Sequence, residues 1–162
     1  MFPSLRPLLN KGGAGRYISR AESVERLQPM AARHLDLLYA YSGIVPTLAD
    51  SAVRERLDAL MPYLRTEVAK IYETILSLGG SARTGVDRAP GGTHAGLSAS
   101  SRDADRVQAL IDAEHRFAGA LRDEIDVVHH QERTRAILGH NAEASDSRLG
   151  VLREIASDFS RG

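Results

Sequence analysis

Val53, Leu57, Leu60, Leu64, Val68, Ile71, Ile75 and Leu78 recur at steps of three and four. An α-helix brings such positions onto one face, whereas a strand would divide them between two. No other feature of the chain constrains its fold as strongly. It predicts a long amphipathic rod whose apolar face must be covered by partners of the same kind. Pro62 lies inside the pattern. The stripe continues in phase beyond it, so a bend is expected there rather than an end. Gly79-Gly80 supplies the stop, because glycine takes the left-handed conformation that closes a helix at little cost.

Three further rods are expected around this one. Ser19 and Glu22 have the spacing of a capping box and open the first. Pro29 either kinks that helix or stands in the first turn of a new one. Ala31, His34, Leu35, Leu38, Tyr41 and Val45 share a face, and Gly43 and Pro46 mark its end. Asp50 can cap the second rod. Ser101 or Asp103 opens the third, with Val107, Leu110, Ile111, Phe117, Leu121, Ile125 and Val128 as its stripe. The fourth follows His130 and carries Ala136, Ile137, Leu149, Leu152, Ile155 and Phe159, Gly139-His140-Asn141 being the other place for the break. No segment alternates as a strand would. The stretch 79–101 is rich in Gly, Ser, Ala, Thr and Pro and long for a connection without structure of its own. In a bundle such a loop can cross from one end to the other. Residues 1–18 are expected to be a flexible tail, and 19–162 one all-α four-helix bundle domain.

Composition excludes several chemistries. The 162 residues contain no cysteine, so thiolate catalysis, disulfides and cysteine-ligated zinc or iron–sulfur sites are absent. Acidic and basic residues balance at 21 each, and no basic field favours nucleic acid. No apolar run reaches the ~20 residues that span a bilayer. Lys11-Gly12-Gly13-Ala14-Gly15 is glycine-rich, but no strand precedes it and the phosphate-loop pattern is missing. Ser98, Ser100 and Ser101 belong to no nucleophile elbow. Asp112/His115 and Asp126/His129 have the spacing of a carboxylate–imidazole pair on one helix face, for which a surface hydrogen bond is the expected role. His129 and His130 are neighbours and diverge by about 100°. His94, among glycines, reads as an anchor for the loop. Arg133, Arg135 and Arg148 alternate with acids such as Glu132 and Glu143 and read as a solvated face.

Ile75 to Gly80, then Thr84-Gly85, then Gly92-Thr93-His94-Ala95-Gly96-Leu97, resembles the ferritin-like and rubrerythrin-like superfamily. The likeness is nearest to an uncharacterised bacterial branch known only as a domain of unknown function. Members of that branch end the second helix in Leu-Gly-Gly and continue through a His-x-Gly-aromatic loop, where Leu97 here replaces the aromatic. Ala113-Glu114-His115 through Leu121 resembles the third helix of that group, and Leu149 to Glu154 the last. The resemblance implies a ferritin-like bundle with a long crossover between its second and third helices. It also implies a di-iron carboxylate site, built from one Glu on each of two helices and a Glu-x-x-His on each of the others.

The chain departs from that pattern, since Glu-x-x-His occurs nowhere in it. The second-helix pair falls on Leu64 and Glu67, and Leu64 cannot ligate a metal. The fourth-helix pair falls on Glu143 and Asp146. His34 and Glu114 are the nearest ligand types on the first and third helices. His34, Glu67, Glu114, Glu143 and Asp146 therefore form the candidate metal set, expected to face the bundle axis, with iron or manganese as the implied ion. The expected role is that of a non-catalytic structural or interaction module with a degenerate metal site. The alternative is a carboxylate-rich iron- or manganese-binding protein serving storage or redox-stress protection. A cytoplasmic setting and a homodimer are expected by analogy, with no nucleic acid or membrane partner. A further protein partner would be reached through loop 79–101.

Overall fold

The computed structural model describes residues 18–81, 97, 101–128 and 132–161. The glycine run at 11–15, His94, Ser98, Ser100 and the His129-His130 pair lie outside these residues, as do most of the tail and loop. Ile18, assigned to the tail, is buried against the bundle.

Helix α1 spans Arg20–Ile44, α2 Ser51–Asp58, α3 Met61–Ser77, α4 Asp103–Val127 and α5 Glu132–Arg161, with a 3-10 turn at Val45–Thr47. The described residues contain no strand. Ser19 caps α1 by accepting a hydrogen bond from the Glu22 amide at 3.1 Å. Pro29 neither ends nor restarts this helix. It is exposed, so the Glu25 carbonyl it leaves without a donor can bond water. Asp50 caps α2, its Oδ1 accepting from the Ala52 and Val53 amides.

Pro62 behaves differently from the expectation of a bend. The helix stops at Asp58 and restarts at Met61, with Pro62 in the first turn of α3. A proline there lacks only a donor that a helix start leaves unpaired in any case. The apolar stripe survives the break: Val53, Leu57, Leu64, Val68, Ile71 and Ile75 are all buried, so α2 and α3 act as one broken rod. At its far end Gly79 has φ +88°. The Gly80 amide donates to the Ile75 carbonyl at 3.0 Å and the Gly79 amide to Leu76 at 3.0 Å, the double hydrogen bond of a Schellman closure.

Cross-links fix the directions. Arg26 of α1 bonds Glu124 near the end of α4, and Tyr41 of α1 bonds Glu114 nearer its start. Gln28 near the start of α1 reaches the Ser81 carbonyl just beyond α3. The first helix thus runs antiparallel to both α3 and α4, and these two run parallel. The exit of α3 lies beside the start of α1. The entry of α4 lies at the other end, where Asp103 accepts hydrogen bonds from the Ala49 and Asp50 amides at 3.0 and 2.8 Å. The chain between Ser81 and Ser101 therefore joins opposite ends of the bundle. α4 ends at Val127 and α5 begins at Glu132, and α5 passes through Gly139-His140-Asn141 without interruption.

Candidate functional site

The buried ionisable residues lie midway along the rods, with Ser23, Thr74 and Thr134 buried nearer one end. His34 and Glu114 are completely buried, while Glu67 and Arg148 retain 6% and 4% exposure. They come from α1, α4, α3 and α5, one from each rod. Each holds an in-phase position on its own stripe. Stepping back from Leu152 by four, seven and eleven reaches Arg148, Ser145 and Asn141, all buried.

Arg148 organises the cluster. Its Nε donates to Glu114 Oε1 at 2.5 Å, its Nη2 to Glu114 Oε2 at 3.4 Å and its Nη1 to Glu67 Oε2 at 2.7 Å. The guanidinium thus spans two carboxylates on different helices, a use suited to its planar fork of donors. Glu114 is also held by the Tyr41 hydroxyl at 2.8 Å and the Ser145 hydroxyl at 2.5 Å. With donors on both oxygens, Glu114 is placed as a carboxylate. His34 Nε2–H donates to Glu67 Oε2 at 3.3 Å, and the imidazole packs on Phe117 with ring centroids 4.6 Å apart. His34 Nδ1 is buried without a partner.

The electrostatics follow from this arrangement. Burial holds His34 below the usual imidazole range, against the opposing pull of Glu67. Burial would raise Glu67, but the hydrogen bonds from His34 and Arg148 and the charge of Arg148 leave it below the usual carboxylate range. Burial opposes the charge on Arg148, yet Glu114 and Glu67 outweigh it and push its pKa upward. Desolvation, followed by the Glu114 charge, drives the Tyr41 phenol well upward. Two carboxylates therefore face one guanidinium and a neutral imidazole, and the buried cluster keeps one unit of negative charge.

Three of the five sequence-selected ligands, His34, Glu67 and Glu114, come together here. The other two do not. Glu143 is exposed, and Asp146 points outward with its side chain 55% exposed, paired with Arg122 at 2.6 Å. On α5 the inward positions are 141, 145 and 148; residues 143 and 146 fall between them, so neither faces the axis as expected. Arg148 was read as part of a solvated face and is instead buried in the core, bonded to Glu114 and Glu67. Its signal was available in the phase of Leu149, Leu152 and Ile155, but arginine carries no hydrophobic mark. Asp112 and His115 are exposed, but they bond other neighbours and not each other, unlike the expected pair. Asp112 accepts from Gln108, and His115 lies beside Arg153.

These residues do not suit a two-metal centre. Its bridging carboxylates are already neutralised in part by an arginine lying between them. Among the described residues no three His, Asp or Glu side chains are grouped to hold a metal ion.

The backbone nevertheless has known company. A Dps protein from Vibrio cholerae O1 matches with a TM-score of 0.70 over 90% of this chain and 98% of that one, at 13% identity. That protein is described as a member of a broad superfamily of ferritin-like diiron-carboxylate proteins. The fold is ferritin-like. No family model matches the sequence, and no curated protein matches it. Identity this low carries the architecture and not the site. None of the helices described is long and apolar enough to cross a membrane.

Proposed function

We propose that this chain is a non-catalytic ferritin-like bundle, a structural or interaction module whose metal site is degenerate. The observation that carries this reading is the position of Arg148 between Glu67 and Glu114. A covalently attached cation there satisfies the carboxylates and leaves no pair of them free to bridge metal ions. The cluster is enclosed, Glu114 accepts hydrogen bonds on both oxygens and Glu67 on Oε2, and His34 Nδ1 has no partner. That supports a role in fixing the four rods rather than in turning over a substrate. The ferritin-like neighbour supports common architecture, and the narrower bacterial branch remains part of this proposal.

The runner-up, iron or manganese binding for storage or redox protection, would need Arg148 to leave its two partners. Glu143 and Asp146 cannot supply the missing ligands from the outer face of α5. A cytoplasmic homodimer, with loop 79–101 as a contact for another protein, completes the proposal by analogy. The test is elemental analysis of protein purified without added metal, with thermal unfolding in the presence of Fe(II) and Mn(II). Metal-free protein whose midpoint does not move is the expected result. Stoichiometric iron or manganese, lost in a Glu114→Ala variant, would establish the runner-up instead.

A further inference from the structure

We infer that Asn141 and His34 enclose an internal water site on the bundle axis, in which bound water bridges the Asn141 amide to His34 Nδ1. Asn141 is completely buried, and neither its amide oxygen nor its amide nitrogen has a partner among the described residues. An amide brings two donor hydrogens and an acceptor oxygen. Leaving all of them unmade is among the costliest arrangements a core can hold. His34 is also completely buried, and its Nδ1 has no partner. Its Nε2 faces Glu67 Oε2 at 3.3 Å. A carboxylate oxygen only accepts, so Nε2 carries the proton and Nδ1 presents a lone pair.

The helix register brings the two residues to one level. The pairs His115–Arg153 and Arg122–Asp146 show that α4 and α5 are antiparallel. Glu114 meets Ser145. One turn on along α4, at Phe117 and Ala118, therefore lies one turn back along α5, at Asn141 and Ala142. His34 packs on Phe117 from α1. Ala118 and Ala142 are buried at this level, and Ala31 is buried one turn before His34. Side chains this small take up little of the axis, so water can stand between the helices. Both groups are uncharged and sealed from solvent. Their ligand must be small, neutral and able both to donate and to accept, which describes water. Its oxygen accepts from Asn141 Nδ2–H, and one of its hydrogens goes to His34 Nδ1. Asn141 is thus a positioning residue that holds the imidazole with its proton toward Glu67.

The experiment uses the full chain, labelled with nitrogen-15. Cross-relaxation between water and the Asn141 side-chain amide protons is measured in the native protein by nuclear magnetic resonance. Long-lived internal waters are counted by oxygen-17 relaxation dispersion in native and Asn141→Leu protein. The expected result is a water cross-peak at the Asn141 amide with the sign of a long-lived contact, and loss of at least one such water in Asn141→Leu. In that variant the His34 Nδ1 resonance should move downfield, toward an unbonded ring nitrogen, while Nε2 stays protonated. Native protein without the cross-peak overturns the inference, whether or not the variant folds. An unchanged water count in folded Asn141→Leu does the same, as does a His34 Nδ1 resonance that stays in place. A scalar coupling between the Asn141 side-chain nitrogen and His34 Nδ1 in native protein would reveal a direct hydrogen bond and overturn it too.

Discussion

Arg148→Met, studied in the presence of a chelator, isolates the energetic role of the buried charges. Methionine keeps most of the side-chain length and apolar stem but removes the guanidinium. Glu67 and Glu114 then remain ionised in the core with only His34, Tyr41 and Ser145 as neutral donors. Breaking a buried ion pair from one side typically costs about 3–5 kcal/mol, because the abandoned charge keeps its desolvation penalty. For a domain of this size each kcal/mol moves the thermal midpoint by about 2–4 °C, so a drop of roughly 6–20 °C is expected. Glu114→Gln makes the contrast. It removes one negative charge and leaves Glu67 opposite Arg148, so the cluster becomes neutral, while the new amide nitrogen loses its capacity to accept. Its cost should be smaller, about 1–3 kcal/mol. Replacing Glu67, Glu114 and Arg148 together with methionine should recover most of the loss, since no isolated charge remains. Chemical denaturation followed by circular dichroism at 222 nm gives all three values. The reasoning fails if Arg148→Met loses less than Glu114→Gln, or if the triple variant is less stable than Arg148→Met alone.

Other consequences follow from the same geometry. Gly80→Ala places a Cβ 2.6 Å from Val24 Cγ1 and 2.8 Å from Ile75 Cγ2, which should lower stability by about 1–3 kcal/mol in a denaturant titration. Asp103→Ala removes the acceptor of two amides in the α1–α2 connection and should cost about 1–2 kcal/mol, with amide exchange at Ala49 and Asp50 rising beyond the global average. Glu143→Ala and Asp146→Ala, on the exposed face, should each change stability by at most about 1 kcal/mol in a denaturant titration. Stability should be nearly flat at pH 7–8 and fall below pH about 6.5, where the unfolded chain protonates a histidine that the core holds neutral. Glu67 and Asp103, both held below the usual carboxylate range, extend the decline below pH about 4. Denaturation midpoints that stay constant from pH 7.5 to 5 would contradict the neutral placement of His34.

The positions of the rods were written in the chain. The period of Val53 to Leu78, the caps at Ser19 and Asp50 and the closure at Gly79-Gly80 are local properties, set by side-chain phase and backbone freedom. They reappear in the structure almost residue for residue. Pro62 shows the limit of that reading: an uninterrupted stripe is equally consistent with a bend and with two helices in register, and only the backbone hydrogen bonds around Leu57 and Leu60 distinguish them. His34, Glu67 and Glu114 lie in phase with apolar neighbours, so their burial was legible. Glu143 and Asp146 were chosen by motif spacing, and the rotation of α5 turns them to solvent. What joins the three inward ligands is an arginine 34 residues from Glu114 and 81 from Glu67 in the chain. No local pattern encodes such a pairing. It exists because four rods pack around one axis, and because a charge carried into that axis is tolerated only where opposite charges from other helices meet it.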